Sequence, residues 1–173
     1  MEAKLYVGTY CKYNAGRLHG KWLDLTEYSD KEEFLEACKE VHKTEHDPEY
    51  MFQDKEGLLH KMPKKWLSES HISDEVFEFM EAFEDDTDKG EAFLSWLNCT
   101  GYKGDFSYLI TTFEEAYEGE YDNTKAYAEY LIDETGILDK MGDLSSYFDY
   151  EAYARDLFMS DYMYLDGVVY RNL

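Results

Sequence analysis

The sequence predicts an α+β chain of three small domains. Residues 1–61 read as an antiparallel sheet plus a helix, 62–103 as a central helical domain, and 104–173 as helices followed by a β-hairpin. Three observations carry this. Lys4 to Tyr10 alternates like a half-buried strand, the middle has helical apolar spacing with few β-branched residues, and Asp166-Gly167 separates two β-rich runs near the end. The chain is 44% hydrophobic and 17% aromatic with only 2 Pro, so it has the apolar side chains an ordered fold needs.

In the first part, Leu5, Val7 and Thr9 alternate with Tyr6, Gly8 and Tyr10. A loop through Asn14-Ala15-Gly16 leads to a second strand, Gly20 to Leu25, carrying Trp22 and Leu23. Ser29 and Glu32 have the spacing of a capping box. Phe34, Leu35, Cys38 and Val41 follow on one helical face, which makes Cys38 a small core residue. Pro48 closes that segment, and Glu49 to Asp54 suits a third strand.

In the middle, Val76, Phe77, Met80 and Phe83 form one helical stripe, and Phe93, Trp96 and Leu97 another. The acidic turn Glu84 to Gly90 separates them, and Gly101 to Gly104 marks a turn or junction. The last part opens with a short strand, Phe106 to Thr111, after which Thr112 and Glu115 have capping-box spacing. A helix starts at Asp122 or Asn123, presents Ala126, Tyr127, Tyr130 and Leu131 to the core, and ends at Gly136. Another spans Tyr150 to Leu157, and Asp166-Gly167 closes a tight hairpin.

Charge sets the functional bounds. Against 17 Lys plus Arg stand 39 Asp plus Glu, a net charge of −22. That excludes direct binding of nucleic acid or of an anionic membrane, both of which require basic side chains. It favours a cationic partner, a cation, or a surface that imitates a polyanion. The excess is uneven: net −4 over residues 1–61, −6 over 62–103 and −12 over 104–173. With no signal-peptide pattern, no apolar run of membrane-spanning length and three scattered cysteines, Cys11, Cys38 and Cys99, the expected location is the cytoplasm.

Catalytic and metal motifs do not survive inspection. His42-Lys43-Thr44-Glu45-His46 has the H-x-x-E-H spacing of inverted zinc peptidases, but Pro48 ends the helix, so two exposed histidines at a helix end are expected instead. An EF-hand register that places Gly90 sixth puts Lys89 and Trp96 where acidic ligands belong. Nucleophile elbows, P-loops and dinucleotide fingerprints are absent. The expectation is a protein without enzymatic activity, cofactor or metal.

The acids themselves form the candidate site. Glu78, Glu81 and Asp85, with Glu84 and Asp88, recur at helical spacing, and Asp86 lies among them. Glu114, Glu115, Glu118, Glu120 and Asp122 precede a helix whose Glu129, Asp133 and Glu134 face away from its apolar side. A solvated face or a halophile's surface would have the same composition. Duplex DNA carries one charge per ~1.7 Å, so 22 net charges match roughly 11 base pairs. A compact protein of this mass would expose on the order of 8,900 Å². Each net charge would then occupy roughly 400 Å², against roughly 107 Å² on DNA. Imitation therefore demands clustering, elongation or both.

The segments Leu5-Tyr6-Val7-Gly8-Thr9-Tyr10, Lys12-Tyr13-Asn14-Ala15-Gly16 and Gly20-Lys21-Trp22-Leu23 resemble the opening of the ArdA antirestriction proteins. So does the run Tyr147-Phe148-Asp149-Tyr150-Glu151-Ala152-Tyr153-Ala154-Arg155-Asp156-Leu157, and Ala126 to Gly136 is similar to the family's acidic helix ending in Thr-Gly. The resemblance implies an elongated protein of three small domains that pairs through its C-terminal domain into a homodimer. It implies that the acidic side chains named above stand in for DNA phosphates in the DNA-binding groove of type I restriction–modification enzymes. Methyltransferase core and specificity subunit would be the partners, and mobile DNA the beneficiary. The alternatives are an acidic adaptor or decoy for another basic DNA-binding protein, and a metal-dependent hydrolase using His42, Glu45 and His46. Independently, four aromatics in seven residues, Tyr147, Phe148, Tyr150 and Tyr153, supply either a core or a dimer interface.

Overall fold

Alternation along the first strand builds the N-terminal sheet. In the computed structural model, which describes all of residues 1–173, β1 (Lys4–Thr9) buries Leu5, Val7 and Thr9. It is the central strand, flanked antiparallel by β2 (Lys21–Asp24) and β3 (Tyr50–Lys55), with Leu5 opposite both Leu23 and Lys55. The chain forms two compact units, Met1–Ser107 and Tyr108–Leu173. It is α+β throughout, with eight α-helices and three small antiparallel sheets.

Within the first unit, Thr9 caps the short helix α1 (Tyr10–Asn14). The capping box of α2 (Lys31–Val41) lies one residue later than its spacing predicts. Asp30 Oδ1 accepts from the Glu33 amide at 2.8 Å, and Glu33 Oε2 accepts from the amide and hydroxyl of Ser29 at 2.8 and 2.9 Å. Asp30 provides the stronger carboxylate acceptor, leaving Ser29 outside the helix. Cys38 is fully buried on this helix, and burial pushes its thiol up to about 12.

Phe34 of α2 joins the sheet to the following segment, its ring lying 6.1 Å from Phe52 and 5.9 Å from Phe77. A two-residue hairpin, β4 (Leu67–Ser68) with β5 (His71–Ile72), precedes α3 (Glu75–Ala82) and α4 (Thr87–Thr100), so this segment is mainly, not purely, helical. Trp66, Phe79, Phe83, Phe93, Trp96 and Phe106 pack as one aromatic cluster. Gly90 permits the close approach of α4: a Cβ there would lie 2.9 Å from that of Phe83. Asp86 caps α4 and left-handed Gly101 ends it.

The predicted exposure of both histidines is wrong for His42. His42 is fully buried, its Nε2–H donating to the Val7 carbonyl at 3.2 Å, while His46 stays exposed. On its other side, His42 Nδ1 lies 3.1 Å from Glu45 Oε1 and 3.3 Å from Lys12 Nζ. Glu45 also pairs with Lys12 at 2.8 Å and accepts from the Thr9 hydroxyl at 2.9 Å. The imidazole thus satisfies a polar junction between α1, β1 and the end of α2, which is why a helix-terminal histidine goes inside.

The second unit corrects another expectation. Phe106 to Thr111 is not a strand but the start of α5 (Phe106–Ala116), and Thr112, read as a cap, lies inside it with its hydroxyl donating to the Tyr108 carbonyl at 2.8 Å. Phe106, Leu109, Phe113 and Ala116 are buried at helical spacing, a period that outweighs the β-branched run Ile110-Thr111-Thr112. The unit boundary falls in the first turn of α5. β6 (Tyr117–Glu120) then pairs with β8 (Val168–Arg171), which pairs with β7 (Tyr162–Leu165). Asp166 and Gly167 both have positive φ in the tight turn between β7 and β8.

Helix α6 (Thr124–Thr135) runs from its Asn123 cap to left-handed Gly136, as its sequence implies. Its inward residues are Tyr127, Ala128 and Ile132, whereas Tyr130, expected in the core, is 46% exposed. After α7 (Ile137–Met141) and a 3-10 turn, Asp149 caps α8 (Tyr150–Ser160). Tyr127 lies against Phe158 and Tyr162 at ring distances of 5.9 and 4.9 Å.

The Glu45 junction makes stability pH-dependent. Burial alone would raise the Glu45 carboxyl's pKa, but Lys12, Thr9 and His42 together hold it below the usual range. With the folded value below the unfolded one, the stabilisation is present above the unfolded pKa and lost as pH falls through the folded one. Urea denaturation of Glu45→Gln at neutral pH should show a loss of about 1 kcal/mol, because a part-buried Lys12 loses its charged partner. The loss should shrink below about pH 4.

Candidate functional site

The apolar faces fix where the acids go. On α3, burial of Val76, Phe77, Phe79 and Met80 leaves Glu78 and Glu81 exposed. The helix ends at Ala82 and α4 begins at Thr87, so the helical acid spacing does not continue unbroken through this stretch. Phe83 turns inward and is buried, which leaves Glu84 and Asp85 exposed on the connection. Asp86 is exposed but occupied as a cap, accepting from the Lys89 amide at 3.0 Å, and Asp88 is exposed in the first turn of α4.

These acids feel one another. Partial burial, followed by the charges of Glu75, Asp74, Asp105 and Glu81, raises the pKa of the Glu78 carboxyl. Glu75 shifts the other way, the nearby Ser73 hydroxyl favouring its charged form against opposing desolvation.

In the second unit, Glu114, Glu115, Glu120 and Asp122 are exposed. Glu118 differs: it is half-buried and pairs with Arg171 at 2.6 Å across the β6–β8 ladder. Its charge raises the pKa of the Arg171 guanidinium. The Tyr127 hydroxyl is buried without a hydrogen bond of normal geometry, and burial first, then Tyr162 and Glu118, push its pKa upward. Glu118 therefore belongs as much to the core's polar edge as to the surface array. The pairing with Arg171 spans 53 positions, and no local sequence signal reveals it.

Along α6, Glu129, Asp133 and Glu134 are exposed opposite the buried Tyr127, Ala128 and Ile132. Lys125 lies 3.9 Å from both Glu129 and Glu151. Glu120, Tyr121 and Asp122 line a shallow cleft with Tyr164, whose hydroxyl donates to the carbonyls of Tyr121 and Asp122 at 2.9 and 3.0 Å. Chemically the array offers fixed negative charge on helix faces and turns.

The aromatic group divides. Tyr147 is 84% exposed, near exposed Leu144, whereas Phe148, Tyr150 and Tyr153 are half-buried against one another, with Phe148 5.1 Å from Tyr150 and 5.5 Å from Tyr153. No group of three or more His, Cys, Asp or Glu side chains is arranged to hold a metal ion. His42 and Glu45 are committed to the buried junction already described.

A family model described as antirestriction protein (ArdA) matches residues 5–170. No curated protein matches the chain.

The raised pKa of Glu78 has a testable sign. Its charged form is disfavoured in the folded state, so the penalty is full above the folded pKa and disappears below the unfolded one. Thermal denaturation at neutral pH and low salt should find Glu78→Gln more stable than the parent. The gain should narrow in about 1 M salt, where the Debye length is ~3 Å.

Proposed function

The chain belongs to the ArdA antirestriction protein family, and on that premise we propose that it works as a DNA mimic against type I restriction–modification enzymes. The observation that carries the reading is the family match over residues 5–170 in a chain of net charge −22. Glu78, Glu81, Glu84, Asp85, Asp86 and Asp88 in the first unit would take the place of phosphates. So would Glu114, Glu115, Glu118, Glu120, Asp122, Glu129, Asp133 and Glu134 in the second. The occupied surface would be the DNA-binding groove formed by the methyltransferase core and specificity subunit. No bond is made or broken, so the protein would act by occupancy, in the cytoplasm, for the benefit of incoming mobile DNA.

Support comes from how the acids are held. Thirteen of the fourteen carboxylates are exposed, Glu118 being the exception, and they project from helices, turns and the end of β6, fixed by buried aromatics. A groove lined by the Lys and Arg side chains that hold phosphates would attract this array by the same Coulombic force, which salt screens.

Competition tests the mechanism. The purified protein should displace duplex DNA from a type I complex at about 50 mM salt, and its own affinity for the DNA-free enzyme should fall at least about tenfold between about 50 and about 200 mM salt. Substituting Glu129→Gln, Asp133→Asn and Glu134→Gln together should weaken it further. No displacement at low salt would end the proposal.

We further propose that the protein pairs through residues 104–173, with Tyr147, Phe148, Tyr150 and Tyr153 contributing to the contact. Exposure of Tyr147 makes it the cleanest probe, since its loss removes little from the fold of a single copy. In sedimentation velocity, Tyr147→Asp should shift the protein toward monomer while circular dichroism stays unchanged. An unaltered dimer would remove Tyr147 from the interface.

A further inference from the structure

We propose that a cavity in the first unit is a socket for an arginine side chain and its flanking residues on the protein that this chain inhibits. The cavity measures about 880 Å³, the size of a ligand site. It lies between the 3-10 turn Leu25–Glu27, the start of α2, and α3 with the connection after it. Tyr28, Phe77 and Met80 supply an apolar wall, the last two being almost wholly buried. Four carboxylates from these separate elements surround it: Glu27, Glu33, Glu81 and Glu84. Met1, which carries the N-terminal ammonium, also lines it, and no Lys, Arg or His side chain does.

Two details tie these exposed acids to the cavity wall. Glu33 is held in place by the amide and hydroxyl of Ser29 at 2.8 and 2.9 Å. The Tyr28 phenol is pushed up in pKa, first by burial and then by neighbours that include Glu27 and Glu33. Tyr28 itself is fixed edge-on against Phe34, with ring centres 5.6 Å apart. An aromatic face, a methionine and converging carboxylates match a side chain with an apolar stem and a delocalised cationic head. Arginine fits that description better than lysine, because its planar head is weakly hydrated and stacks on rings.

A neighbouring cavity of about 490 Å³ shares Glu27 and Tyr28 and continues toward Lys21, Trp22 and Lys4. The groove is therefore acidic at the α3 end and mixed in charge at the β2 end. This orients an extended segment, with its cation beside Glu81 and Glu84. Phosphates on a duplex surround no such aromatic wall, so the socket would provide a contact that DNA does not make.

Assignment of the occupant to the inhibited enzyme rests on the antirestriction reading, but the socket can be tested without that enzyme. The probe is N-acetyl-arginine amide, titrated into isotope-labelled full-length protein and followed by NMR. N-acetyl-citrulline amide, of the same shape without the charge, is the control. Saturable shifts are expected at Tyr28, Met80 and Glu81, with affinity at least about fivefold lower for the citrulline probe. Glu27→Gln with Glu81→Gln, both at exposed positions, should weaken arginine binding about tenfold. Tyr28→Leu should weaken it as well, whereas Glu129→Gln with Asp133→Asn should not. Shifts spread alike over the acids of both units, or a linear response to roughly 50 mM probe, would overturn the socket. If the socket saturates but the protein fails to displace DNA from a type I complex, the DNA-mimic reading falls and the socket stands. If displacement succeeds without saturable binding, the socket alone falls.

Discussion

Like-charge repulsion is the constraint on which the rest of this structure depends. With 39 acids against 17 bases, the fold must keep its carboxylates apart, wet and outside. Aromatic burial provides the opposing term. In the first unit, Trp66, Phe79, Phe93 and Trp96 are almost fully buried, and in the second Phe113, Tyr127 and Tyr170 are. Each large apolar side chain contributes about 2 kcal/mol by burial, whereas a like-charge pair one helical turn apart costs only about 0.3 kcal/mol. A few rings therefore offset many acid pairs. This explains how a strongly acidic chain can be ordered, and why its apolar content is so rich in Tyr and Phe.

The few cations are placed where they matter. Lys12 serves the buried Glu45 and His42 junction, Arg171 serves half-buried Glu118, and Lys61 pairs with Glu91. In the first two cases the carboxylate is partly withdrawn from water, where an unpaired charge would be expensive. Exposed acids such as Glu81, Glu84 and Glu134 sit where water screens them. Lys12 and Arg171 thus serve acids at the polar edges of the cores, while Lys43 and Lys125 pair with exposed acids such as Glu40 and Glu129. The proposed interaction surface would be a consequence of the same arrangement.

Local signals made part of this legible in the sequence. Asn123 and Gly136 bound α6 because a cap and a left-handed terminator each act within a few residues. Asp166-Gly167 specifies its hairpin for the same reason. What was missed depends on distant partners. β6 is four residues with a glycine inside, and it becomes a strand only by pairing with β8. α5 was misread because Ile110, Thr111 and Thr112 favour strands locally, while the burial of Leu109, Phe113 and Ala116 favours a helix. His42 looked exposed because its acceptor, Val7, lies 35 positions away. The outward acids of α6 were readable from helical period, but the convergence of Glu27 and Glu33 with Glu81 and Glu84 was not.

That difference bears on how specificity can arise. A polyanion surface attracts any basic groove, and its attraction falls with salt in proportion to the contacts formed. Such a surface gains affinity readily but discriminates poorly, since exposed charges tolerate many arrangements of partner cations. Discrimination needs a site where shape and desolvation act together with charge. In this chain the cavity bounded by Tyr28, Phe77 and Met80 combines an apolar wall with carboxylates from separate elements, one of them anchored by Ser29. A partner that filled it would have to match a fixed shape as well as a sign of charge. Neutralising exposed acids elsewhere would then lower affinity for every basic partner together, whereas changing the wall would alter the choice among them.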